Sequence, residues 1–99
     1  MKFHVTVTPR RPQVPPVAVI DQSIAWIKAK LSDKTADCCY GFIGGGGIAI
    51  FNADTSDAML KLLMSYPAYP FADFKVEALC DVMTAMEQVK AMVQRAASA

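Results

Sequence analysis

Four consecutive glycines, Gly44–Gly47, stand between two short apolar runs in the stretch YGFIGGGGIAIFNAD, Tyr40 to Asp54. Glycines that join a strand to a helix can cradle a phosphate, because helix N-terminal amides then face the anion. Glycines that join two strands supply the positive φ of a hairpin turn. Here no Lys-Ser or Lys-Thr follows the run, and no GxGxxG spacing is present. Both flanking segments read as strands. The run is therefore expected to be a turn rather than a nucleotide loop. Four glycines exceed what one turn needs, and the surplus leaves room for another backbone or a ligand to approach closely.

The rest of the chain supplies the elements around that turn. Phe3, Val5 and Val7 alternate with Lys2, His4, Thr6 and Thr8, which predicts a strand with one apolar face that ends at Pro9. Pro9 to Pro16 holds four prolines and two arginines and reads as an extended loop. Val17, Ile20, Ile24, Ile27 and Leu31 recur at helical spacing, with Trp26 off the main stripe. Ala36–Ile43 and Ile48–Ala53 read as strands apolar at both parities, hence covered on both faces. Asp54, Thr55 and Ser56 start a short helix through Met59, Leu62, Leu63 and Tyr66, which Pro67 stops. Ala72–Leu79 alternates as a fourth strand. Val82, Met86, Val89 and Val93 mark a last helix over residues 82–97.

Ninety-nine residues fit one domain, expected to span 1–99, with little room for a second. Hydrophobic residues are 54% and charged residues 19% of the chain, which argues against disorder and for apolar surface that a partner covers. A net charge of +1 without a basic stripe gives no footprint for nucleic acid or an anionic membrane. Cys38, Cys39 and Cys80 have no CxxC spacing and the single histidine is His4, so no metal site or disulfide is expected. No export signal and no membrane-length apolar run are seen, which points to the cytoplasm.

The order strand, helix, strand, strand, helix, strand gives an α+β, ferredoxin-like βαββαβ fold, a four-stranded antiparallel sheet with two helices on one face. The uncovered face needs a further layer. The last helix can supply part of it, and a second copy's sheet the rest, closing a dimeric α/β barrel. If Phe3, Val5 and Val7 face the helices, His4 and Thr6 face the barrel interior, with Lys75 and Glu77 beside them. His4 with Glu77 would then be a base and its orienting carboxylate. The alternative is a satisfied polar histidine beside a solvated edge carboxylate.

MKFHVTVTP at the start and LLMSYPAYPFADFKVEALCD, Leu62 to Asp81, resemble the muconolactone isomerase family over most of residues 1–80. The resemblance implies sheet-face dimers or larger rings. It also implies a proton-transfer shift of a double bond in a small unsaturated lactone, with no metal or cofactor. It carries His4 and Glu77 over as the catalytic pair. Thr6, Tyr40, Tyr69, Phe71 and Lys75 become substrate-binding candidates, with Tyr69, Pro70 and Phe71 in the aromatic loop that borders the family's cavity. The middle hairpin departs from the family: CCYGFIGGGGIAIF offers only Tyr40 as a strongly polar side chain, where the isomerase carries groups able to grip a carboxylate. Arg10 and Arg11 of the proline loop read as solvated or, on the isomerase reading, as a carboxylate anchor.

Three functions follow. The first is a cofactor-free isomerase acting on a small lactone or enol-type substrate. The second is a non-catalytic small-molecule-binding or assembly domain, which the glycine-for-side-chain exchange favours. The third, by fold analogy alone, is a cofactor-free monooxygenase.

Overall fold

The computed structural model describes residues 1–98. The elements are β1 (Lys2–Pro9), α1 (Val17–Ser32), β2 (Ala36–Gly41), β3 (Gly47–Asn52), α2 (Ser56–Met64), a 3₁₀ turn (Tyr69–Phe71), β4 (Ala72–Leu79) and α3 (Val82–Ser98). The four strands form one antiparallel sheet in the order β2-β3-β1-β4. This is the expected α+β, ferredoxin-like arrangement.

The pairing register fixes both faces. Phe3 lies opposite Phe51 and Ala78, and Val5 opposite Ala49 and Val76. This parity faces α1 and α2 and makes the core, where Phe3, Val5, Ala36, Ala49, Phe51, Met59 and Leu63 are buried. The other parity carries Lys2, His4 and Thr6 on β1, Ile48 and Ile50 on β3, and Lys75 and Glu77 on β4. No helix covers it.

Two expectations, the extent of the second strand and the place of the last helix, are corrected. The second strand stops at Gly41, and Phe42 and Ile43 belong to the exposed glycine turn. Tyr40, at the end of that strand, is 68% exposed, so β2 is not covered on both faces in the single chain. The last helix does not lie on the open face either. None of its residues is buried, and the chain is 61 Å along its longest axis. Asp81 starts it by accepting a hydrogen bond from the Thr84 amide at 3.0 Å.

Helix α1 is also rotated from its expected setting. Val17, Ile20, Ile24 and Leu31 face outward, while Ser23 is buried and Trp26, Ile27 and Lys30 are half-buried. Trp26 sets the rotation. Its indole packs on Phe51 at 5.8 Å and Tyr66 at 5.1 Å between ring centres, and Nε1 donates to the Ser65 hydroxyl at 3.1 Å. A large aromatic that satisfies its one N–H at the same place outweighs several aliphatic positions. Ser23 is small enough to be buried at the same helix face, and its hydroxyl donates to the Val19 carbonyl at 2.8 Å.

A polar cluster ties three strands together near the start of β1. The Lys2 ammonium donates to Asp37 and, at 2.9 Å, to Asn52 Oδ1, while Asn52 Nδ2 donates to Asp37 Oδ1 at 2.8 Å. The Lys2 hydrogen bond, then the Asn52 one, holds the Asp37 carboxyl below its ordinary value of 3.8. A carboxyl depressed in the folded state contributes stability above its unfolded pKa, and that contribution is lost as pH falls through the folded value. Lys2→Met should therefore flatten the acid limb of the stability curve below about pH 4 while leaving the slope near neutrality unchanged. Urea unfolding at several pH values checks this. The effect is small because the group is exposed.

Candidate functional site

A cavity of about 490 Å³ lies between the sheet and its two helices. Val5, Val7, Cys39 and Ala49 form its floor on the sheet. Trp26 and Ile27 of α1, Leu63 at the end of α2 and Tyr66 beyond it form the walls. Phe71 and Phe74 close one side, and the proline loop with Gly46 borders the mouth. The volume exists because the floor is built from small residues. Gly47 and Ala49 face the helices on β3, Ala72 starts β4, and α2 is only nine residues long. Large side chains at those positions would fill the space.

The aromatic wall is internally braced. Tyr69 stacks on Phe74 at 5.2 Å, with the planes 14° apart, and Tyr66 meets Phe74 edge-on at 6.3 Å. Such contacts hold ring positions that would otherwise relax into the void. No Asp, Glu, Lys, Arg or His is among the lining residues. The polar side chains there are Gln13, Cys39, Tyr40 and Tyr66, with the Trp26 N–H already taken by Ser65. Burial, and then the neighbouring Cys38, pushes the Cys39 thiol up from its ordinary value, so it is a neutral thiol and a poor nucleophile at neutral pH.

The candidate site residues fall on two sides of the sheet. His4 lies directly opposite Glu77, and Thr6 directly opposite Lys75, all on the open face. Glu77 also meets Lys75 along its own strand at 3.5 Å. Among the described residues, no hydrogen bond from the His4 ring is seen. Phe71 lines the cavity, and Tyr69 stands behind it against Phe74. Tyr40 belongs to both sides: it borders the cavity, while its pairing opposite Ile48 turns its ring to the open face. The sequence thus brings His4, Thr6, Lys75 and Glu77 together, and Tyr69 and Phe71 together, but not the two groups with each other.

Sequence reasoning did not gather Trp26, Cys39, Tyr66 and Phe74 as one site. The available signal was parity. Cys39, Val5, Val7 and Phe74 share the helix-facing side, and the small residues Gly47 and Ala49 fall among them.

Neither a protein-family model nor a curated relative matches the sequence. Solved structures do match the fold. Muconolactone isomerase superposes with a TM-score of 0.72 at 21% identity, covering 82% of this chain and 90% of that one. The 5-chloro-2-hydroxyhydroquinone dehydrochlorinase of Burkholderia phenoliruptrix, solved with 2,5-dihydroxybenzoquinone, superposes with a TM-score of 0.64 at 15% identity, covering 81% and 94%. The chain therefore has a muconolactone isomerase-like fold. No helix among the described residues is long and apolar enough to cross a membrane.

Proposed function

We propose that this chain binds a small, planar, largely apolar organic molecule in the cavity between helices and sheet. One observation carries the reading: a 490 Å³ space walled by braced aromatic rings, with no charged side chain in its lining. Small-molecule sites are commonly cavities of about 300–1,000 Å³ with few polar groups. A ring of the size of a quinone, phenol or unsaturated lactone fits such a space. The dehydrochlorinase of the same fold was solved with a ligand of that kind. Trp26, the one tryptophan, lines the cavity, so its fluorescence reports occupancy. Saturable quenching by 2,5-dihydroxybenzoquinone or a butenolide supports the reading, and Ala49→Leu, which fills the floor, should abolish it. Absence of saturable quenching across such rings would sink it.

A second reading is the cofactor-free isomerase, in which a proton leaves a carbon beside a carbonyl and returns at another carbon. The observation favouring it is the pairing of His4 opposite Glu77. Its experiment is turnover of an unsaturated lactone by the wild type, followed by absorbance.

In both readings the partner is a second copy. The open face presents Tyr40, Ile48 and Ile50 beside the polar row of β1 and β4, with no layer above it. Packing two such faces together closes an α/β barrel and buries His4, Thr6, Lys75 and Glu77 between sheets. Light scattering at low micromolar concentration should give twice the 10.7 kDa chain mass. A folded species at the chain mass would overturn the dimer.

A further inference from the structure

We infer that α3 is a docking arm whose apolar stripe packs antiparallel along the outward stripe of α1 in a second copy of this chain. The inference does not depend on the cavity or on what fills it.

Two helices carry apolar stripes that nothing in the single chain covers. Val82, Met86, Val89 and Val93 of α3 are 50–66% exposed, and Val17, Ile20, Ile24 and Leu31 of α1 are 36–73% exposed. An amphipathic helix gains most of its stability from packing its apolar face. The chain does not supply that packing to α3 itself. Its radius of gyration is 17.3 Å, against about 13 Å for a compact chain of this length.

The two stripes share one repeat. On α1, Val17, Ile20, Ile24, Ile27 and Leu31 are spaced alternately three and four residues apart, and so are the stripe residues of α3. That is the narrow seam of a coiled coil, to one side of the α1 face that carries buried Ser23 and half-buried Trp26. Because α1 lies on the helix side of the sheet, this contact leaves the open face free for a second sheet.

Charge decides the direction and the partner. Asp21 follows the seam residue Ile20, and Lys90 follows the seam residue Val89, so both hold the same flanking position of the repeat. Two such positions share one side of the seam in an antiparallel pair and lie on opposite sides in a parallel pair. Among the described residues, neither Asp21 nor Lys90 forms an ion pair. An antiparallel setting with Leu31 opposite Val82, Ile24 opposite Val89 and Ile20 opposite Val93 brings the Asp21 carboxylate to the Lys90 ammonium. A second copy of α3 offers Lys90 no such partner, since the flanks of its seam carry Met83, Ala85 and Met92.

Disulfide capture between two variant chains mixed in equal amounts tests this, in a background of Cys38→Ser, Cys39→Ala and Cys80→Ser. Leu31→Cys mixed with Val82→Cys should give a covalent dimer under mild oxidation. Leu31→Cys mixed with Val93→Cys should give about tenfold less, because Val93 lies about 16 Å along the helix from Val82 and a disulfide needs Cα atoms within about 7 Å. Equal capture of the two mixtures overturns the antiparallel register. Capture of Val82→Cys by Val93→Cys chains instead shows α3 pairing with its own copy and overturns the role of α1. A chain carrying both Leu31→Cys and Val82→Cys that bridges at the single-chain mass shows α3 folding back, and overturns the second copy. No capture in any mixture leaves α3 to some other partner and overturns the inference as well. A second measurement keeps the natural cysteines. Asp21→Lys and Lys90→Glu should each weaken self-association about threefold to tenfold in low salt, and an equimolar mixture of the two should recover it, read by sedimentation. A mixture no tighter than its components overturns the Asp21–Lys90 pairing.

Discussion

Gly46→Ala is expected to destabilise the fold by roughly 3 kcal/mol or more, whereas Gly44→Ala, two residues earlier in the same run, should be nearly neutral. Gly46 has φ +80°, and a Cβ there would overlap the Val7 carbonyl oxygen, which is backbone and cannot swing aside. A left-handed conformation costs a non-glycine residue about 1–2 kcal/mol before any clash. Relieving the clash means moving the turn away from β1. That strains the hydrogen bond from the Phe42 amide to the Gly46 carbonyl, 2.9 Å long, and the adjoining Val7–Gly47 pairing. At Gly44 an added Cβ meets nothing within 4 Å. For a domain of this size the loss at Gly46 should lower Tm by roughly 15 °C, measured by circular dichroism. Equal melting of the two variants would show that the run is a tolerant linker rather than a turn pressed against β1.

That contrast shows where sequence reading stops. Glycines between two strands announce a turn, since the flanking periodicity and the missing Lys-Ser settle what the run is not. Which glycines are needed depends on β1 passing beneath the turn, a contact between residues nearly forty positions apart. The same divide runs through the rest of the chain. Alternation in Phe3, Val5 and Val7 is local, so β1 and its faces were legible, as were β4 and the order of elements. The rotation of α1 was not, because Trp26 chooses its neighbours Phe51 and Tyr66 from distant segments. A stripe of aliphatic residues says that a helix has an apolar side, not which apolar side meets the sheet first. The cavity was hidden for a related reason. It is made by what is small, Gly47 and Ala49 opposite a short helix, and a void leaves no residue pattern of its own. The His4–Glu77 pairing, by contrast, follows from strand order and parity alone, and the register places the two directly opposite.

His4→Gln separates the two sides of the sheet as places for chemistry. If proton transfer occurs on the open face, the variant should turn over an unsaturated lactone about 10²–10⁴-fold more slowly than wild type, the usual worth of a positioned acid–base group. Glutamine keeps the size and polarity of the side chain but cannot shuttle a proton, and His4 lies outside the buried core, so the fold should be retained. Glu77→Gln should give a smaller loss, because a cross-strand carboxylate orients the ring without taking the proton itself. Lys75 competes for Glu77 at 3.5 Å, so Lys75→Met should leave the rate unchanged or raise it. Ala49→Leu is the complementary probe, since it fills the cavity and lies on the other face from His4. Slow turnover in His4→Gln with normal rates in Ala49→Leu places the reaction between two packed sheets. The reverse outcome removes histidine from the mechanism and moves the chemistry among Cys39, Tyr66 and the aromatic wall. A wild type that quenches with these rings but turns none of them over is a binding protein built on an isomerase fold.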